Sequence, residues 1–77
     1  MPASSMIKPQ MEVLGCDGAH VGTVDHIVGA DEVMLAKDDP EAGGEPHFIP
    51  LGWVIHVEMK VHLKQPGAEA KARWKTH

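Results

Sequence analysis

Val21-Gly-Thr-Val-Asp-His-Ile-Val-Gly29 is the stretch that decides the fold. Its β-branched residues, Val21, Thr23, Val24, Ile27 and Val28, suit a pleated, half-buried strand better than a helix. Strict alternation fails inside it, because Val21 and Val24 are three apart and a regular strand would turn them to opposite faces. Gly22 sits at that break, where a bulge or a strong bend restores the inward phase. The stretch predicts a bent strand.

The neighbouring segments read the same way. Upstream, Met11 to Gly15 alternates, with Met11 and Val13 on one face, and Asp17-Gly18 supplies the chemistry of a tight hairpin turn. Downstream, Gly29-Ala30-Asp31 is a turn, and Glu32 to Lys37 is a third strand with Val33 and Leu35 inward. Asp38 to Pro46, with its prolines, glycines and acidic residues, is a solvated loop. His47 to Leu51 reads as a short strand ending at a proline, and Gly52-Trp53-Val54 as a corner. Ile55 to Leu63 forms a last hairpin whose Val57, Val61 and Leu63 share one face.

Gln65-Pro66-Gly67 ends the sheet. Ala68 to Lys75 is rich in helix formers, Glu69 and Arg73 are spaced as an i,i+4 pair, and Ala70 with Trp74 is the apolar stripe by which so short a helix can dock. The expectation is a single domain over residues 1–77 of mainly β class. Residues 1–6 form a disordered N-terminal tail. A small β-barrel of five or six short antiparallel strands spans 7–65, and a C-terminal helix covers 66–76. Closure would protect strand edges that an open sheet leaves exposed.

A chain of 77 residues supports one core and buries roughly 60% of its unfolded surface. Domains this small often gain stability from disulfides, metals or partner subunits. Cys16 is the only cysteine, so no intrachain disulfide is possible and a reducing compartment is expected. The N-terminal stretch lacks a signal-peptide apolar run, and no segment approaches the ~20 apolar residues of a membrane-spanning helix. The expected location is cytoplasmic, without membrane insertion. The net charge is −4 and Arg73 is the only arginine, which argues against nucleic acid as a partner.

Catalytic inventory is thin. The hydroxyls are Ser4, Ser5, Thr23 and Thr76, there is no tyrosine, and Asp17 beside Cys16 disfavours the thiolate. Thr23 fits a strand with no special role. Gly15, Gly18 and Gly22 are turn and bulge glycines, since no helix follows them to form a phosphate loop. The acidic loop lacks the spaced oxygens of a calcium loop. No catalytic residue and no cofactor are expected, and a contrary enzyme reading would require a cleft gathering a histidine, Asp17 or Asp25, and Cys16.

Six histidines are the unusual feature: His20, His26, His47, His56, His62 and His77. If the turn at Glu58 to Lys60 pairs Val57 with Val61, His56 and His62 become outward cross-strand neighbours within reach of one Zn²⁺ or Ni²⁺. The rest of a four-ligand site is missing from the sequence, so these are weak metal candidates. A small-ligand or metal-ion binder using surface histidines is the alternative reading.

The aromatic residues are the candidates for contact with a partner. Phe48 is expected in the core, Trp53 either plugs the barrel end or anchors a partner, and Trp74 pins its helix to its own barrel or to a second copy. Phe48, Trp53 and Trp74 thus mark a protein-binding or scaffolding module, with a homo-oligomer as one form of partnership.

The order Met11-Glu-Val-Leu-Gly15, Asp17-Gly18, His20-Val-Gly-Thr-Val24, Phe48-Ile-Pro-Leu51 and Trp53-Val54 resembles a small bacterial family, domain of unknown function 2171. The resemblance spans about Ile7 to Trp74. That family is similar in turn to the PRC-barrel domains, small β-barrels found in the cytoplasmic part of a photosynthetic reaction-centre subunit and in a ribosome-maturation protein. The resemblance implies a PRC-barrel-like fold used for docking onto other macromolecules, and it implies no catalytic residue.

Overall fold

The computed structural model describes residues 7–29 and 31–76. The tail expected over residues 1–6 lies outside the described residues. Seven strands form one sheet: β1 (Glu12–Leu14), β2 (His20–Val28), β3 (Glu32–Leu35), β4 (His47–Pro50), β5 (Val54–Val57), β6 (Val61–Leu63) and β7 (Lys75–Thr76). Helix α1 covers Gly67–Arg73, and short 3-10 turns cover Pro40–Ala42 and Leu51–Trp53.

The sheet order is β5-β6-β1-β2-β3-β4-β7. Laid flat, β4 and β5 would be five strand spacings apart, about 24 Å at ~4.8 Å each. Yet Leu51–Trp53 alone connects them, and the step from Pro50 to Val54 spans at most ~14 Å. The sheet must therefore roll back on itself. It does not close, since β5 pairs only with β6, so the expected barrel is instead an open, curled sheet.

Strand β2 supplies the curl. Val13 pairs with Gly22 and Leu14 with His20, so Val21 is the additional, bulged residue. A second shift follows, with Val24 opposite Leu35 and His26 opposite Met34, which leaves Asp25 unmatched. Each bulge bends the strand and resets its alternation, bringing Val21, Val24 and then Ile27 to the core side. The first bulge lies where the failed alternation at Gly22 predicts it. Asp25 carries no such mark in the sequence.

One pair is parallel, against the expectation of antiparallel strands alone: Val13 lies beside Val61 and Leu14 beside His62. The cause is the Leu51–Trp53 corner. It bends the chain without reversing it, so β5 continues in the direction of β4 and β6 returns in the direction of β1.

The core is aliphatic. Val13, Val21, Val24, Val33, Leu35, Ile49, Val61 and Leu63 are fully buried. Phe48 departs from expectation, because His47 and Ile49 take the core face of β4 and period-two alternation leaves Phe48 half-buried on the other.

The helix stops at Arg73, short of the expected residue 76. Trp74 turns extended, and Lys75 and Thr76 pair with Phe48 and His47 at the free edge of β4. Ala70 is fully buried, Trp74 packs on the core, and Glu69 meets Arg73 at 3.5 Å. The start of the helix presses on the first hairpin. The Cys16 amide donates to the Gln65 carbonyl (2.8 Å) and the Gly67 amide to Asp17 Oδ1 (3.1 Å). A Cβ at Gly15 would lie on the Gly67 nitrogen and 2.7 Å from Gly67 Cα, so the approach excludes any side chain. Gly18, at φ 83°, makes the turn as Asp17-Gly18 predicts.

Candidate functional site

Three polar or apolar assemblies stand out on this frame. The first centres on His20. The bulge at Val21 brings His20 and Thr23 to the same carboxylate oxygen, Asp39 Oδ2, at 2.8 and 2.6 Å. Glu12, the register partner of Thr23, reaches the other ring nitrogen of His20 at 2.7 Å and Lys60 Nζ at 3.1 Å. Asp39 Oδ1 accepts the Glu41 amide (2.8 Å), capping the 3-10 turn that opens with Pro40.

Asp39 is only 7% exposed, which corrects the reading of its loop as simply solvated. A buried carboxylate requires partners, and His20, Thr23 and the Glu41 amide provide them. Thr23, expected to have no special role, donates one of those bonds.

Both imidazole nitrogens of His20 face carboxylates, an arrangement in which the protonated ring donates to each. Burial opposes the charged ring, but the bonds to Glu12 and Asp39 outweigh it and raise the His20 pKa above its ordinary value. Burial likewise works to raise Asp39, and the bonds from Thr23, Glu41 and His20 prevail and lower it. Glu12 is lowered by His20 and then by Lys60. The cluster is chemically a clasp that ties the Asp38–Pro46 loop to β1 and β2. The Thr23 hydroxyl donates to Asp39 and not to the imidazole.

Beside the clasp lies an open groove of about 570 Å³, with Gln10, Thr23, Asp25, Lys37 and Asp39 among its lining residues. Gln10 is the one non-glycine residue with positive φ (71°) among the described residues.

The second assembly is the β5–β6 hairpin at the open end of the sheet. Val54 pairs with Leu63 and His56 with His62, so Ile55 is bulged out of the ladder. Ile55 is 62% exposed and Met59, at the hairpin tip, 87%; they are the large hydrophobic side chains that the described surface exposes. Trp53 precedes them, half-buried against the core, its carbonyl accepting the Lys64 amide at 3.0 Å. Val57 pairs with Val61 as expected, which places His56 and His62 as cross-strand partners with ring centroids 5.6 Å apart.

The third assembly is internal. The Trp74 ring stacks on His47 with centroids 3.9 Å apart and planes 8° from parallel. His47 Nε2–H donates to the Ala42 carbonyl (2.7 Å), which leaves Nδ1 to accept the Thr76 hydroxyl (2.9 Å). Trp74 thus pins its helix to its own sheet.

The structure does not bring the three sequence-predicted contact residues into one patch. Trp53 belongs to the corner before β5, Trp74 packs on His47, and Phe48 lies on the outer side of β4. Nor does it join Cys16 to a base: the thiol is exposed, Asp17 binds the amides of Ala19 and Gly67, and Asp25 sits 3.7 Å from His26. Those amides lower the Asp17 pKa.

Sequence reasoning missed the clasp. Glu12, His20 and Asp39 are too far apart in the chain for any spacing rule. Asp39-Pro40-Glu41 did carry a signal, an acidic cap followed by proline at the first helical position.

Among the described residues, no group of three or more His, Cys, Asp or Glu could hold a metal ion, and no helix is long and apolar enough to cross a membrane. A family model described as "Uncharacterized protein conserved in bacteria (DUF2171)" matches residues 7–71. No curated protein matches the chain.

Proposed function

From the premise that the chain belongs to the DUF2171 family, whose description assigns no activity, we propose that it is a non-enzymatic protein-docking module acting through its β5–β6 hairpin. The observation that carries this reading is the exposure of Ile55 and Met59 on that one hairpin. Exposed apolar side chains gathered on one element, as opposed to scattered singly, mark contact surfaces. A bulge at a sheet edge re-aims a side chain while blunting indiscriminate strand pairing, which is how Ile55 is presented. Trp53, half-buried against the core, precedes the same hairpin in the chain.

The curled sheet supports kinship with the PRC-barrel domains, and docking in the cytoplasm is the corresponding mode of use. The partner is a protein with an apolar recess, and a second copy of the chain is the first case to test. Sedimentation of the purified chain should show concentration-dependent association that the double variant Ile55→Ser, Met59→Ser abolishes with its melting temperature unchanged. A photo-crosslinker at position 59 should capture a discrete protein that one at position 45 does not. A chain that remains monomeric and yields no crosslink at position 59 above that control refutes the proposal.

A further inference from the structure

The docking surface proposed above leaves two imidazoles on the same hairpin without a role. His56 and His62 are direct cross-strand partners, with centroids 5.6 Å apart and planes tilted by 40°. Two imidazoles sharing one ion at ~2.0–2.1 Å from each nitrogen hold their centroids roughly 5 Å apart when the angle at the metal is tetrahedral. The observed spacing is close to that, and the backbone ladder fixes the positions from which the two rings project.

The surroundings favour an ion as well. The Glu58 carboxylate lies 3.2 Å from His56 Nε2. Its negative charge so close to the ring favours a cation at the pair. Lys60, the cation at the hairpin tip, is drawn to Glu12 at 3.1 Å. A shallow recess of about 150 Å³ beside His62, lined by Glu58, Met59 and Lys60, offers space for water ligands.

We infer that His56 and His62 form a two-imidazole site for a borderline divalent ion, Zn²⁺ or Ni²⁺. With no third side chain gathered into a cage, the other positions fall to water or to a partner's side chain, and the ion exchanges freely. Imidazole donors select this class over Mg²⁺ and Ca²⁺, which take oxygen ligands.

The test is calorimetric titration of the chelator-treated full chain with zinc sulfate near pH ~7.5, where imidazole is mostly unprotonated. One saturable ion per chain is expected, bound at least about tenfold more weakly after His56→Gln or His62→Gln and unaltered after His26→Gln. Magnesium chloride should give no saturable heat. A second readout uses the unmutated chain: Ni²⁺ should broaden amide resonances of Val54–Val57 and Val61–Leu63 first. Absent saturable heat, binding that survives both substitutions, or broadening centred elsewhere overturns the inference.

Discussion

Replacing Asp39 by alanine tests the clasp where its parts converge. The substitution removes the cap on the Glu41 amide and the acceptor shared by Thr23 and His20. Loss of such a cap costs about 1 kcal/mol. A hydroxyl and an imidazolium N–H left without their acceptor add about 1–3 kcal/mol, and the lower half applies because His20 is about one-third exposed and water can reach it. The expected loss is about 2–3 kcal/mol, and at about 4–8 °C per kcal/mol for a domain of this size the midpoint falls by about 10–20 °C. Asp39→Asn keeps one acceptor, enough for the Glu41 amide, but turns an NH2 toward Thr23 and His20, and should cost about 1–2 kcal/mol. Thermal unfolding followed by circular dichroism at neutral pH measures both. A shift below about 3 °C for the alanine variant, or an asparagine variant as damaged as the alanine one, refutes the account of Asp39 as the centre of the clasp.

The pH dependence follows from the same residues. His20 is raised in the folded chain, so its contribution is complete below the unfolded value of ~6.5 and disappears as pH rises through the folded value; His20→Gln should flatten that alkaline decline in a melting series. Asp39 and Glu12 are lowered, so their contributions hold above their unfolded values of ~4 and fade as pH falls through the folded ones, a limb that Glu12→Gln should shallow. Gly15→Ala drives a methyl into the main chain at Gly67 and should cost about 3 kcal/mol or more. Gly22→Ala meets only the end of Leu35 at 3.1 Å and should cost about 1 kcal/mol; equal midpoints in urea would contradict this contrast. A chain ending after Pro66 loses buried Ala70, the Trp74 stack and β7, and its cooperative melting transition should vanish; a truncated chain as stable as the full one would show that the helix is dispensable.

What the sequence made legible was the inward set of each strand, because period-two alternation and hydrophobicity are local properties. Val33 with Leu35, and Val57 with Val61 and Leu63, are buried together as their spacing implies. The Ala70–Trp74 stripe docks for the same reason. Placing Phe48 in the core failed because hydrophobicity outweighed phase: Ile49 fits the alternation and is smaller, and it faces Val33. Strand β7 was illegible, since Lys75 and Thr76 become a strand only where the β4 edge offers them partners. Glu12, His20 and Asp39 meet only after two strands and a loop have folded, so no local pattern announces them. The His56–His62 pair was readable because a single hairpin register decides it.

The parallel pairing of β1 with β6 also governs when this protein can become itself. Residue 13 must wait for residue 61, so the central seam forms only after the chain has left the ribosome as far as β6. Contacts so remote in sequence slow the search for the native state. Until they form, β1 offers a bare flank to any passing strand. Crowded synthesis is therefore the period of greatest risk, and β1 the segment on which a ribosome-associated chaperone would act to best effect.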